Sequence, residues 1–251
     1  MSVYARLQEE ARQIVSRLPP APFYTEQAEA NALSRQLLTS DPVATDLQAY
    51  AATILEDDFG HGMRHCIKVA LDAGALMLIE GARFAYSPPL LRRRVLVVQS
   101  AGLLHDIRRK AAHHADAGAK FAAAALQSYP FSAEEVNDIC LAIRNHEAFR
   151  PQMAIDSTAG RLVSDCLYDA DKFRWGPDNF SDTLWEMVSF MNPPLSVFVS
   201  RYPSGMETLS KIRSTFRSRT GKKYGPQFID LGLAVGNELY KVIMLNYSHL
   251  I

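Results

Sequence analysis

Apolar residues recur at helical spacing in one segment after another, and strand-like alternation bounded by turn signals is scarce. Such a chain has to bury helical stripes against one another, which predicts an all-α, compact helical bundle. The spacing predicts helices at about 3–17, 26–38, 44–55, 62–80, 90–104, 115–127, 133–145, 157–171, 182–191, 206–217 and 226–243. Ser132 and Glu135 match a capping box, and Pro19-Pro20, Pro88-Pro89 and Pro193-Pro194 interrupt helical patterns. Gly81 falls where a helix C-cap would fall. No repeat or linker divides the 251 residues, so one helical domain is expected over 1–251.

Lys plus Arg and Asp plus Glu each number 27, for a formal net charge of zero. That balance argues against a protein that wraps duplex nucleic acid. Any phosphate recognition must come from locally placed bases. No apolar run approaches the ~18 residues needed to span a bilayer, and the start lacks a signal-peptide pattern. Cys66, Cys140 and Cys166 are odd in number and far apart, which suits small core residues in a reducing compartment. A cytoplasmic protein without a membrane partner is the expectation, and a homo-oligomer stays open.

Six of the seven histidines lie between 61 and 146. His61 and His65 are four apart and share a helix face with Val69, Ala73 and Leu76. Asp72 falls on that face too, where a solvated or ion-paired acid is favoured over a role supporting the histidines. The stretch VLVVQSAGLLHD is almost wholly apolar and ends in His105 and Asp106. A carboxylate ending a buried helix is costly unless compensated, and a divalent cation with the neighbouring imidazole would compensate it. His113 and His114 open a helix of small residues, and His146 closes DICLAIRNH. In RLVSDCLYDADKF, Val163, Leu167 and Ala170 make an inward stripe with Asp171 beside it.

Any one of these alone has a bland explanation: a hydrogen-bonded core histidine, or a solvated helix-end acid. Their combination does not. Several helices each deliver a metal-type ligand beside a buried stripe.

The order of these residues resembles the HD-domain phosphohydrolase superfamily. HCIKVALDA looks like its first element, with His65. GLLHDIRRK looks like its His-Asp pair, His105 and Asp106, and LYDADKF like its distal Asp, Asp171. HHADAGA and IRNHE resemble the middle motifs, giving His114 and His146. The resemblance covers about 60–175, leaving helical extensions at 1–59 and 176–251. HGMRH and DADK look closest to small stand-alone hydrolases. The Gly-Tyr-Pro of the cyclic-dinucleotide branch is absent, and Arg108-Arg109 stand where members often have Gly-Lys.

The resemblance implies one divalent metal (Mn, Fe, Co, Ni or Zn) held by His65, His105, Asp106 and Asp171. Asp106 could bridge to a second ion held by His114 and His146. It implies hydrolysis of a phosphate ester, a nucleotide or another small phosphorylated metabolite, by water activated at the metal. Asp106 would accept a proton or orient that water.

Arg64, Lys68, Arg109, Lys110 and Lys172 lie near proposed ligands, and Arg109 and Lys172 follow ligand motifs most closely. His61, one turn from His65, would support the ligands from behind. The aromatic, basic tail with Tyr202, Phe216, Tyr224 and Phe228 reads as a helix closing the bundle, with a nucleotide-stacking rim as the alternative. Trp175 and Trp185 read as core anchors. Two other function classes compete: a di-iron oxygenase on the same scaffold, and a non-catalytic HD-like interaction module.

Overall fold

The computed structural model describes residues 2–55 and 62–250. The chain is all-α: helices make up 77% of it, with no strand among the described residues. The N-terminal elements are α1 (Val3–Ser16), α2 (Pro22–Glu26), α3 (Ala28–Ser40) and α4 (Pro42–Ala52). Next come α5 (Met63–Arg83), α6 (Pro88–Leu104), α7 (His114–Ala125), α8 (Ala133–Arg144) and α9 (Thr158–Phe173). The tail adds α10 (Leu184–Met191), α11 (Leu195–Ile212) and α12 (Arg219–Asn246). No helix among the described residues is long and apolar enough to cross a membrane.

The stretch 95–104 is buried at every position, as its near-continuous apolarity requires. It packs along α5 at very close range. A Cβ on Gly102 would lie 2.7 Å from Ala70 Cα and 2.9 Å from its backbone N, so only glycine lets the two helices approach this far. Arg93 forks onto Glu135 through two contacts of 2.6 Å, and Arg94 reaches Asp138 at 2.7 Å, fastening α8 to α6. Glu135 also closes the expected capping box with Ser132.

The tail docks onto the central helices through buried acids. Asp169 on α9 accepts from the Arg217 and Ser218 backbone N–H groups, both at 2.8 Å. Glu80 on α5 accepts from the Thr220 N–H at 2.7 Å. Tyr202, Phe216, Tyr224 and Phe228 are all buried, and Trp185 is 1% exposed while Trp175 is half-buried.

Three local expectations are corrected. Gly81 does not cap a helix: α5 runs on to Arg83, and a Cβ on Gly81 would meet Leu91 Cδ1 at 2.5 Å, so the glycine serves packing. The helix expected at 206–217 begins at Leu195 and runs through Pro203 to Ile212. The helix expected from Pro226 begins at Arg219, with the Ser218 side chain accepting from Gly221 N–H, and runs through Pro226. Proline inside a helix costs about 3 kcal/mol. Here the apolar residues buried on both sides of each proline (Phe198, Tyr202 and Leu209; Tyr224, Phe228 and Ile229) outweigh it.

Candidate metal centre

The close approach at Gly102 sets His65, near the start of α5, beside His105, the C-cap residue of α6. Their Nε2 atoms are 3.3 Å apart. Asp171, two residues before the end of α9, brings Oδ1 to 3.4 Å from His65 Nε2 and 3.8 Å from His105 Nε2. All three residues are buried.

A second trio lies alongside. His114 opens α7, and His146 directly follows the C-cap of α8. Their Nε2 atoms are 3.2 Å apart and lie 3.7 and 3.6 Å from Asp106 Oδ1. Asp106 faces both trios, because its other oxygen, Oδ2, is 3.5 Å from His105 Nε2. Within each trio the potential ligand atoms lie within 4.8 Å of one another, close enough to share an ion.

The protonation pattern suits a cation. His105 Nδ1 donates to the Gly102 carbonyl at 2.8 Å, and His146 Nδ1 to the Ile143 carbonyl at 2.6 Å. A neutral imidazole that donates through Nδ1 keeps a lone pair on Nε2, and that lone pair is what a metal binds. Glu147 Oε1 lies 3.7 Å from His114 Nδ1, and the Arg109 guanidinium lies 2.9 Å from His114 Nε2, a cation at that lone pair. Lone pairs and carboxylate oxygens crowded together repel without a cation between them, so the donor set fits a divalent transition metal.

Burial depresses the His105 pKa from 6.5 to about 4, against the pull of Asp106 and Asp171. Burial, with His146 next in weight, brings His114 to about 4 as well. Burial would raise the Asp171 pKa, but the Lys172 ammonium and the contact with His65 prevail and hold it well below the usual carboxylate range.

The histidine shifts have a consequence for the metal-free protein. The unfolded chain takes up protons near pH 6.5 while the folded chain resists to about 4, so the unfolded state binds more protons in between and stability falls as pH drops. By circular dichroism, the change in Tm of metal-free protein from pH 7 to pH 4.5 should be less unfavourable in His105→Gln than in the unaltered chain, because the variant lacks the His105 contribution. Equal changes would contradict the buried neutral imidazole.

Residues 62–175 match the family model for the HD domain. That match supports placing this segment in the HD-domain superfamily. Comparison with curated proteins and with solved structures gave no match. The HD segment opens at Gly62, the N-cap of α5, and closes just after α9, so it contains both trios. HD domains bind divalent metals, and the buried His/Asp groups could hold one.

The bases near the HD site separate by placement. Arg109 lines a cavity of about 440 Å³ together with His65 and Asp171. Lys172, 3% exposed, sets Nζ 2.5 Å from Asp171 Oδ2 and sits beside the Tyr168 and Trp175 rings. Arg108 stacks on Phe121 at 4.4 Å, and Lys68 pairs with Asp178 at 3.0 Å. His61 lies outside the described residues.

The burial of one base is visible only in the structure. Arg174, 7% exposed, meets Asp72, Tyr24 Oη at 2.5 Å and Asp178 at 2.6 Å, and it also lines the cavity. Its helical register alone is legible in the sequence: Val163, Leu167, Ala170 and Arg174 follow one another at helical spacing. Asp72 is accordingly the ion-paired acid of the two readings.

Proposed function

We propose that this HD-domain protein is a metal-dependent phosphohydrolase that cleaves a phosphate ester at a two-ion centre. His65, His105, Asp171 and Asp106 Oδ2 would hold one ion. His114, His146 and Asp106 Oδ1 would hold the other. The observation that carries the reading is the Asp106 carboxylate, whose Oδ2 faces His105 of one trio and whose Oδ1 faces His114 and His146 of the other. A bound divalent ion supplies Lewis-acid chemistry here, lowering the pKa of a coordinated water to about 7 and offsetting phosphoryl charge.

The chain's own residues do the rest. Arg109 borders the cavity next to the ligands and offers its guanidinium fork to phosphoryl oxygens. Lys172 acts through Asp171: the 2.5 Å contact fixes the carboxylate and keeps it ionised as a ligand. The Gly102 and Ile143 carbonyls lock the His105 and His146 tautomers.

The test is a panel of phosphate monoesters and nucleotides, assayed on metal-stripped protein reloaded with Mn, Co, Ni or Mg, in air and under nitrogen. Metal-dependent phosphate release that is unaffected by removing oxygen is expected. No release with any metal would overturn the reading, and turnover that needs oxygen would assign the centre to oxidative chemistry.

A further inference from the structure

The cavity beside the metal centre is two-sided in chemistry. One end is polar, where His65, Asp171 and Arg109 border it. The remainder is largely apolar and comes from the tail: Phe180, Leu184, Met187, Val188, Phe198 and Leu209 all line it. Phe180, Val188, Phe198 and Leu209 are buried, while Met191 and Val197, also in the lining, are exposed, so the wall runs from core to surface. At about 440 Å³ it falls within the ~300–1,000 Å³ typical of small-molecule sites. Protein interiors rarely leave an apolar space of this size empty, since its lining forgoes packing contacts.

We propose that this cavity receives the alcohol portion of the substrate and that this portion is apolar, so the protein acts on phosphate esters of alkyl or aryl alcohols in preference to nucleotides. The proposal rests on the phosphohydrolase reading for the polar end and on the tail's side chains for the rest.

A nucleoside brings ribose hydroxyls and base-edge donors and acceptors. Away from the metal end the polar side chains of the wall are Arg174, Asn179, Thr183, Arg201, Tyr202 and Thr208, of which Arg174 is held by Asp72 and Asp178 and Thr208 donates to the Ser204 carbonyl. Tyr202 spends its hydroxyl on the Gly236 carbonyl at 2.8 Å. Each buried ligand group left unpaired would weaken binding by roughly tenfold. The tail aromatics that might have stacked a base are committed elsewhere: Phe216 and Phe228 pack on Phe173, and Tyr224 on Phe23. An apolar group, in contrast, gains from every methylene it removes from water.

The test reads binding rather than turnover, so it stands apart from the test of the phosphohydrolase reading. Manganese-loaded full-length protein is titrated with methyl-, butyl-, hexyl- and octylphosphonate and with adenosine 5′-monophosphate by calorimetry. Affinity is expected to rise by up to about fourfold per added methylene until the cavity is filled. Octylphosphonate should bind more tightly than the nucleotide. Leu184→Lys, at a half-buried position where a lysine head can still reach water, should flatten the dependence on chain length. An affinity independent of chain length in the unaltered protein, or a nucleotide that binds more tightly than octylphosphonate, would overturn the proposal.

Discussion

Asp106→Asn protein, stripped and reloaded with manganese, is expected to lose metal from both positions, whereas His146→Ala should lose it from one. The reason is geometric. Asp106 Oδ2 faces the His65/His105/Asp171 trio, and Asp106 Oδ1 faces His114 and His146. His146 offers a ligand atom to the second trio only, although its ring also packs edge-on against His105 at 5.2 Å. Loss of a supporting partner behind a ligand costs about 10–100-fold in metal affinity or activity, and loss of a shared ligand should cost more.

Asparagine keeps the shape of aspartate, so helicity by circular dichroism should stay unchanged. Metal per chain is read by elemental analysis. Phosphoester turnover should fall by about 10³-fold or more, equivalent to roughly 4 kcal/mol of lost transition-state stabilisation. Full occupancy in Asp106→Asn would remove Asp106 from the site. Equal metal loss in the two variants would mean that the trios do not hold separate ions.

Replacing Arg174 should produce the largest loss of stability. Asp72 is 4% exposed and Arg174 7%, and they meet between α5 and the end of α9 with Tyr24 on both. Arg174→Met strands the Asp72 carboxylate in the core, with the Tyr24 hydroxyl at 3.0 Å as its remaining side-chain hydrogen-bond partner among the described residues. Breaking a buried pair in this way costs about 3–5 kcal/mol. Urea unfolding measures it.

The double variant Asp72→Leu/Arg174→Met removes both charges and should recover most of the loss, because the penalty lies in the unpaired ion rather than in the absence of the bridge. A double variant no more stable than Arg174→Met would show that the ion pair itself stabilises the fold.

Chemistry was easier to read along the chain than position. VLVVQSAGLLHD announced a buried helix ending in two ligand-type side chains, because apolarity on every face leaves a helix nowhere to go but the interior. The stripe 163, 167, 170 pointed inward for the same reason, and Asp171 came with it. Arg174 continues that stripe, but an arginine at a helix end normally reads as solvated, and its burial shows only in the fold. The helix starts at Leu195 and Arg219 are hidden from the sequence because local propensity counts each proline at its full cost. Burial of the flanking apolar residues is visible only when the tail is docked on α5 and α9.

The sequence alone established an all-helical bundle and the set of imidazoles and carboxylates available to it, because helical period and side-chain chemistry are local properties of the chain. Only the tertiary structure decided which of them meet. The contact between α5 and α6 at Gly102, the meeting of Asp106 with His114 and His146, and the apolar cavity built by the tail all join residues far apart in sequence. Such distances are set by how helices pack, and the period of a single helix does not contain them.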